Sequence, residues 1–226
     1  MIAHRKTSLT AGIFYLLTFV SVPTLALYGP VKSANFILGS GSNTGAVVSG
    51  ILEIIVALMG IGTAVVLFKY LKKQSETLAL GLIAARILEA SSIFVGVAFL
   101  STIVQMHRNG VGVDMVPVAR GIVALHDRMF LLSQSFMPAI DDMLLGYMLL
   151  KSHLVPRKLA VIGIFGGPVL LMGYFAVLSG VLEKGSSLAG ASSIFVALFE
   201  LSLGIWLVVK GFNHDAVIAL EKNPEL

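Results

Sequence analysis

Six long apolar runs, separated by short polar or glycine-rich connections, dominate the chain. The first covers 9–28 and is stopped by Gly29 and Pro30, and a Gly/Ser/Asn-rich connection, 33–45, leads to a second over 46–68. After Lys69, Lys72 and Lys73 a third run covers 77–106, and 107–116 connects it to a fourth over 117–150, which opens on Pro117, a favourable first-turn position. Pro156, Arg157 and Lys158 precede a fifth run over 159–182; the small-residue stretch 185–193 leads to a sixth ending near Val209. At 1.5 Å of rise per residue, about 20 helical residues cross roughly 30 Å of hydrocarbon. The pattern therefore predicts an all-α, polytopic membrane helix bundle of six transmembrane helices, one domain over 1–212 followed by a short polar tail over 213–226. The first run follows His4, Arg5 and Lys6 and lacks a small-x-small cleavage site, so it is expected as a retained helix and not a signal peptide.

The fourth run carries more polar groups than a lipid-facing helix tolerates. Arg120, Asp127, Gln134 and Asp141 recur every seven residues, and an α-helix drifts only about 20° over seven residues, so they share one slowly turning face. Pro138 has no N–H and clashes with the carbonyl four residues back, which predicts a bend that frees the Gln134 carbonyl. The other five helices are expected to wrap this one.

Composition agrees with a lipid environment: of 226 residues 57% are hydrophobic and only 12% charged, with a mean hydropathy of +0.94, against about a quarter charged in soluble domains. The absence of cysteine excludes disulfides, thiolate metal sites and a cysteine nucleophile. A net charge of +4 would suit nucleic acid, but the basic residues stand in short clusters between apolar runs and form no stripe with interleaved aromatics. They read as topology signals and nucleic acid is not an expected partner. With the N-terminus inside, ten basic residues (Arg5, Lys6, Lys69, Lys72, Lys73, Lys151, Arg157, Lys158, Lys210, Lys222) are cytoplasmic. Five (Lys32, Arg108, Arg120, Arg128, Lys184) are external and Arg86 is left within the membrane. That bias predicts both termini in the cytoplasm. Tyr28 and Tyr70, at helix ends, suit interface anchoring.

An ionisable side chain within a span is a site candidate by default, because it must be paired, hydrated or turned inward. Arg86 and Glu89, three apart, are neighbours on one helix face. Counting rise per residue puts Glu53 about 10 Å and Glu89 about 12 Å below the outer surface, in one layer that Asp127 can reach. These charges read either as polar glue that pairs across helices and fixes which helices meet, or as a ligand or ion pathway, whose candidate residues are Glu53, Arg86, Glu89, His126, Asp127 and Glu200. Gln134, Pro138, Asp141 and Asp142 form a separate, deeper hinge or inner mouth. Locally, residues 88–91 resemble 199–202, with Glu89 and Glu200 each twelve residues past a helix start, a weak hint of an inverted repeat.

Catalytic fingerprints are missing. Four of the five histidines, His4, His107, His153 and His214, fall in predicted loops or tails, and no HExxH spacing, GxSxG element, Walker loop or dinucleotide motif occurs, so no metal and no cofactor is expected. Convergence of Glu53, Glu89, Asp127 and Glu200 would be needed to hold a cation. His126 beside Asp127 is no relay by adjacency, since consecutive helical residues point about 100° apart. Gly60, Gly62, Gly166 and Gly167 suit close helix packing. A non-enzymatic role is expected: handling of a small polar ligand, ion or proton, or service as a membrane interaction subunit, with lipid as the surrounding partner. The alternative is an intramembrane enzyme using buried carboxylates and His126.

Several stretches carry a resemblance. LKKQSETLALG (71–81), ARILEA (85–90), LVPR (154–157) ahead of Gly163, and Glu200 ahead of IWLVVKGF (205–212) together resemble the bacterial membrane family called domain of unknown function 4386. The resemblance implies a multi-helix integral membrane protein and supplies no activity. Its recurring charges fall on Glu53, Arg86, Glu89, Asp127 and Glu200. Where the family has Arg-Asp-Trp, this chain has His126-Asp127-Arg128.

Overall fold

The computed structural model describes residues 2–33, 36–39 and 41–222. Residues 34, 35 and 40 of the predicted first connection, and 223–226 of the predicted tail, lie outside the described residues. Within these limits the protein is all-α: α1 (Ile2–Thr18), α2 (Thr24–Leu27), α3 (Thr44–Leu71), α4 (Glu76–Arg108), α5 (Val116–Leu131), α6 (Met137–Ser152), α7 (Arg157–Leu178), α8 (Ser187–Ser192), α9 (Ile194–Val209) and α10 (His214–Lys222). Four spans, α3, α4, α7 and the combined 187–209 segment, are long and apolar enough to cross a membrane.

Helix packing follows chain order and then closes. α1 packs on α3, α3 on α4, α4 on α5 and α6, α6 on α7, α7 on α9, and α9 returns to α1. The fourth predicted helix is thus one member of a ring and not a post wrapped by the others. The two chain ends meet at one end of the ring, where Arg5 donates to the carbonyls of Leu207 and Val208 at the end of α9. Rings of His4 and His214 also face each other there, with centroids 5.4 Å apart. We call this the terminal end and the opposite one the far end.

Side chains sort by radius. Leu88, Phe165 and Met172 point outward, 60–69% exposed, as expected of surfaces that meet lipid. A terminal-end apolar cluster includes Tyr15, Leu67, Leu71, Leu145, Met148, Phe199, Leu203 and Phe212. A far-end cluster is built on Tyr28, Phe36, Ile37, Leu100 and Ile103. Tyr28 and Tyr70, expected at an interface, are each only 1% exposed and belong to these cores, Tyr70 edge-on to Phe212.

Three interruptions distinguish the helices from the six predicted runs. The run 9–28 is no single helix: α1 stops at Thr18 and a 3-10 turn, Phe19–Ser21, precedes Pro23. Pro23 cannot donate to the Phe19 carbonyl, and the Val22 N–H takes that acceptor instead, at 3.1 Å. Between α5 and α6 lies a π turn, Leu132–Phe136, closed by the Met137 N–H on the Leu132 carbonyl. The irregularity expected at Pro138 is thus absorbed on its N-terminal side. Ser193 separates α8 from α9. The predicted polar tail also differs: 214–222 is helical, and Ala216, Val217 and Leu220 form an apolar face that joins the terminal-end core.

Glycines set the closest approaches. A Cβ on Gly12 would lie 2.8 Å from both the Gly204 carbonyl oxygen and the Val208 nitrogen. One on Gly146 would meet the Ala160 carbonyl oxygen at 2.8 Å. Backbone cannot yield as a side-chain tip can, so Gly12→Ala should lower stability by about 1–3 kcal/mol in detergent unfolding. Gly81→Ala, whose Cβ meets nothing within 4 Å, should be neutral or stabilising by helix propensity.

Candidate functional site

Arg86 sits inside the ring between the two apolar clusters, 3% exposed. Its Nη1 donates to Glu89 Oε2 at 2.8 Å, the contact that i,i+3 spacing predicts. Nη2 donates to Glu200 Oε1 on α9 at 3.1 Å and approaches the Tyr15 hydroxyl on α1 at 3.4 Å. Two carboxylates of α6 complete the shell: Asp141 Oδ2 lies 3.5 Å from Nε, and Asp142 Oδ1 3.9 Å from Nη2. Both aspartates are 0% exposed, and none of their oxygens has a hydrogen bond of good geometry. Gly60 on α3 makes the space, since a Cβ there would stand 3.5 Å from Glu89 Oε2 and 3.8 Å from Arg86 Cδ.

This centre regroups the predicted residues. Asp141 and Asp142, expected as a separate inner mouth, belong with Arg86, Glu89 and Glu200, while Glu53 and Asp127 do not. Counted from the terminal-end boundaries of their predicted helices, Arg86 and Asp141 are both nine residues in, hence at equal depth. The length of the Arg86 side chain lets its guanidinium reach both α6 aspartates. The π turn adds a residue to one turn of the helix, so the stripe of sevens drawn for a regular helix does not carry through. Of its members Arg120 is exposed, Asp127 and Gln134 half-buried and Asp141 buried. Tyr15 and Gly60 were missed as site residues. Their only signal was a phenol and a glycine inside apolar runs.

A cavity of about 580 Å³ leads from the Arg86 centre toward the far end. Arg86, Glu89 and Glu200 reach it at one end, Lys32, Asp127 and Lys184 at the other. Gln134 and Pro138 line its wall, which is where the predicted hinge residues fall. All three backbone interruptions line it too, through Thr18 and Ser21, Gln134 and Ser135, and Ser192 and Ser193. Non-helical backbone at membrane depth is tolerated where it is buried in protein or lines a hydrated cavity, so their convergence on one space is physically coherent.

At the far end Asp127 Oδ1 accepts from Lys32 Nζ at 2.6 Å and from Lys184 Nζ at 2.8 Å. The second ammonium also donates to the Asp127 backbone carbonyl at 3.2 Å. Burial pushes the pKa of the Lys184 ammonium down, and Asp127 pulls against that shift without cancelling it. These lysines entered the sequence reading only as topology charges. Their signal was that they stood on the side otherwise poor in lysine.

Behind this cluster lie His126 and Glu53, 1% and 3% exposed. His126 packs edge-on to Tyr28, centroids 5.1 Å apart, and Glu53 faces the Tyr28 hydroxyl. His126 Nδ1 is 3.6 Å from Asp127 Oδ1, beyond hydrogen-bond length. The four-carboxylate set of Glu53, Glu89, Asp127 and Glu200 does not converge. Among the described residues no three His, Asp or Glu side chains are grouped to hold a metal ion.

Fold and site define an all-helical membrane protein, a closed ring of helices around a cavity that ends on buried charge. The chain belongs to the family designated Domain of unknown function (DUF4386), whose model matches residues 10–211. Neither the curated proteins nor the solved structures gave a match.

Removal of the guanidinium strands four buried carboxylates, so Arg86→Met should destabilise the protein by about 3–5 kcal/mol in detergent unfolding. Glu200→Gln, which keeps an acceptor for Arg86 and removes one of the four negative charges, should change stability by about 1 kcal/mol or less.

Proposed function

We propose that the protein is a multi-pass cell-membrane protein of bacterial type that handles a small solute or ion through the cavity ending at Arg86. Six crossings are assigned to α1, α3, α4, the α5–α6 pair, α7 and the α8–α9 pair, with the terminal end cytoplasmic. The basic residues counted above support that orientation, because Lys69, Lys72, Lys73, Arg157 and Lys158 cluster at that end.

One observation carries the reading: four carboxylates surround a single guanidinium at the floor of a cavity. A pairing whose only task was to glue helices would be balanced, since buried unpaired charge costs several kcal/mol. Here four carboxyl groups face a single guanidinium, an excess of three negative charges when all are ionised. Protons or a bound cationic group supply the difference, and a centre that must take up positive charge from outside the fold is suited to ion or proton movement or to binding a small polar ligand. Service as an interaction subunit would not call for the cavity.

The enzymatic alternative has less support. It needs His126 to exchange protons with a carboxylate, which requires hydrogen-bond reach or one bridging water. Among the described residues neither His126 ring nitrogen has a hydrogen-bond partner: Asp127 is held by two lysines, Glu53 faces the Tyr28 hydroxyl, and the Arg86 carboxylates lie at the other end of the cavity.

Reconstitution tests the proposal. In proteoliposomes with an internal pH dye, Glu89→Gln and Glu200→Gln should each reduce proton- or cation-coupled flux by about tenfold or more, with melting temperature in detergent little changed. Equal flux in the wild type and in Glu89→Gln, Asp142→Asn and Glu200→Gln would overturn it.

A further inference from the structure

The two ends of the cavity carry opposite excess charge, and this bears on what it accepts. At the floor Glu89 and Glu200 reach the cavity wall, backed by Asp141 and Asp142, against Arg86 alone. Both aspartates are fully buried, with one oxygen each 3.5 and 3.9 Å from the guanidinium and no hydrogen bond of good geometry, so four carboxyl groups share one guanidinium and leave room for a further positive charge. At the mouth the imbalance is reversed: Lys32 and Lys184 share one carboxylate, Asp127, and Arg128 lies near enough to repel Lys184. Between the ends the wall is mostly apolar, with Val56, Leu131, Leu170, Val177 and Val196, interrupted by Gln134, Ser135 and the Ser192–Ser193 pair. One wall runs from Asp127 to Pro138, about 16 Å of helix axis at 1.5 Å per residue. The volume is that of a pocket for a drug-sized molecule.

We propose that the cavity's ligand is dipolar, with a cationic group set among the carboxylates around Arg86, an anionic group between Lys32 and Lys184, and an apolar chain joining them. The inference rests on the solute-handling reading above and adds the ligand's charge pattern to it. A singly anionic amphiphile satisfies the mouth and leaves the floor with its negative excess, while a singly cationic one satisfies the floor and leaves both lysines on one carboxylate. Only a molecule with both groups, spaced by most of the cavity's length, answers both ends. The mostly apolar wall then favours an alkyl or similarly greasy spacer.

The test uses the full chain in lipid nanodiscs and isothermal titration calorimetry with three probes: ω-aminododecanoic acid, dodecylamine and dodecanoic acid. The dipolar chain should bind at least about tenfold more tightly than either singly charged one. Lys32→Ala combined with Lys184→Ala should abolish its advantage over dodecylamine while keeping its advantage over dodecanoic acid, and Glu200→Gln should do the reverse. Asp127→Asn, which frees both lysines and leaves the floor intact, should tighten binding of ω-aminododecanoic acid severalfold, so the proposal stays open to test if the double variant does not fold. Glu200-dependent binding of dodecylamine equal to that of the dipolar chain would overturn the dipolar inference and leave the solute-handling reading standing. Failure of all three probes would overturn the inference as well. That failure together with flux insensitive to Glu89→Gln, Asp142→Asn and Glu200→Gln would overturn both.

Discussion

Burying one guanidinium governs the arrangement of this protein. In a low-dielectric interior a cation must be surrounded by acceptors or it expels the helix that carries it, and a guanidinium offers five N–H donors in a fixed plane. Arg86 gathers its partners from four helices: Glu89 beside it on α4, Asp141 and Asp142 on α6, Glu200 on α9 and Tyr15 on α1. Apolar packing between helices in lipid gains little from the hydrophobic effect, so polar contacts of this kind discriminate between registers that greasy surfaces would accept equally. Gly60 completes the arrangement by leaving α3 without a side chain where the pair needs room.

Three interruptions of the ring's helices border its cavity. α1 ends early because of Pro23, the α5–α6 junction takes a π turn before Pro138, and α8 is offset from α9 at Ser193. Each interruption removes side chains or turns them from the axis, and the three face the same space. Away from that space the helices approach closely, with Gly12 against Gly204 and Gly146 against Ala160. The broken helices line the cavity, whose inner end is closed by the Arg86 centre.

Charge is distributed asymmetrically along the cavity. Lys32 follows the break after α1, and Lys184 lies in the turn that follows Gly180, whose φ of +77° ends α7. Both reach Asp127 from segments that regular helices would have carried past the site. The mouth is therefore positive because loops bend in over it, and the floor is negative because three helices each turn an acid toward one arginine. His126 and Glu53 are buried beside the mouth with Tyr28, His126 Nδ1 3.6 Å from Asp127 Oδ1.

Periodicity and length alone determined that the chain is all-helical and roughly where the four helices long and apolar enough to cross a membrane lie, because the need for about 20 apolar residues per crossing leaves its mark on those segments. The i,i+3 pair of Arg86 and Glu89 was legible for the same reason: helical spacing is local. Which acids share a layer was not. That Asp141 and Asp142 meet Arg86, while Asp127 turns to two lysines, depends on the reach of a long side chain, on a π turn that rotates one helix partway along, and on the order in which the ring closes. These are relations between segments far apart in sequence, and no local pattern encodes them. Only the tertiary structure brought four carboxylates to one guanidinium and set two lysines opposite them across a cavity.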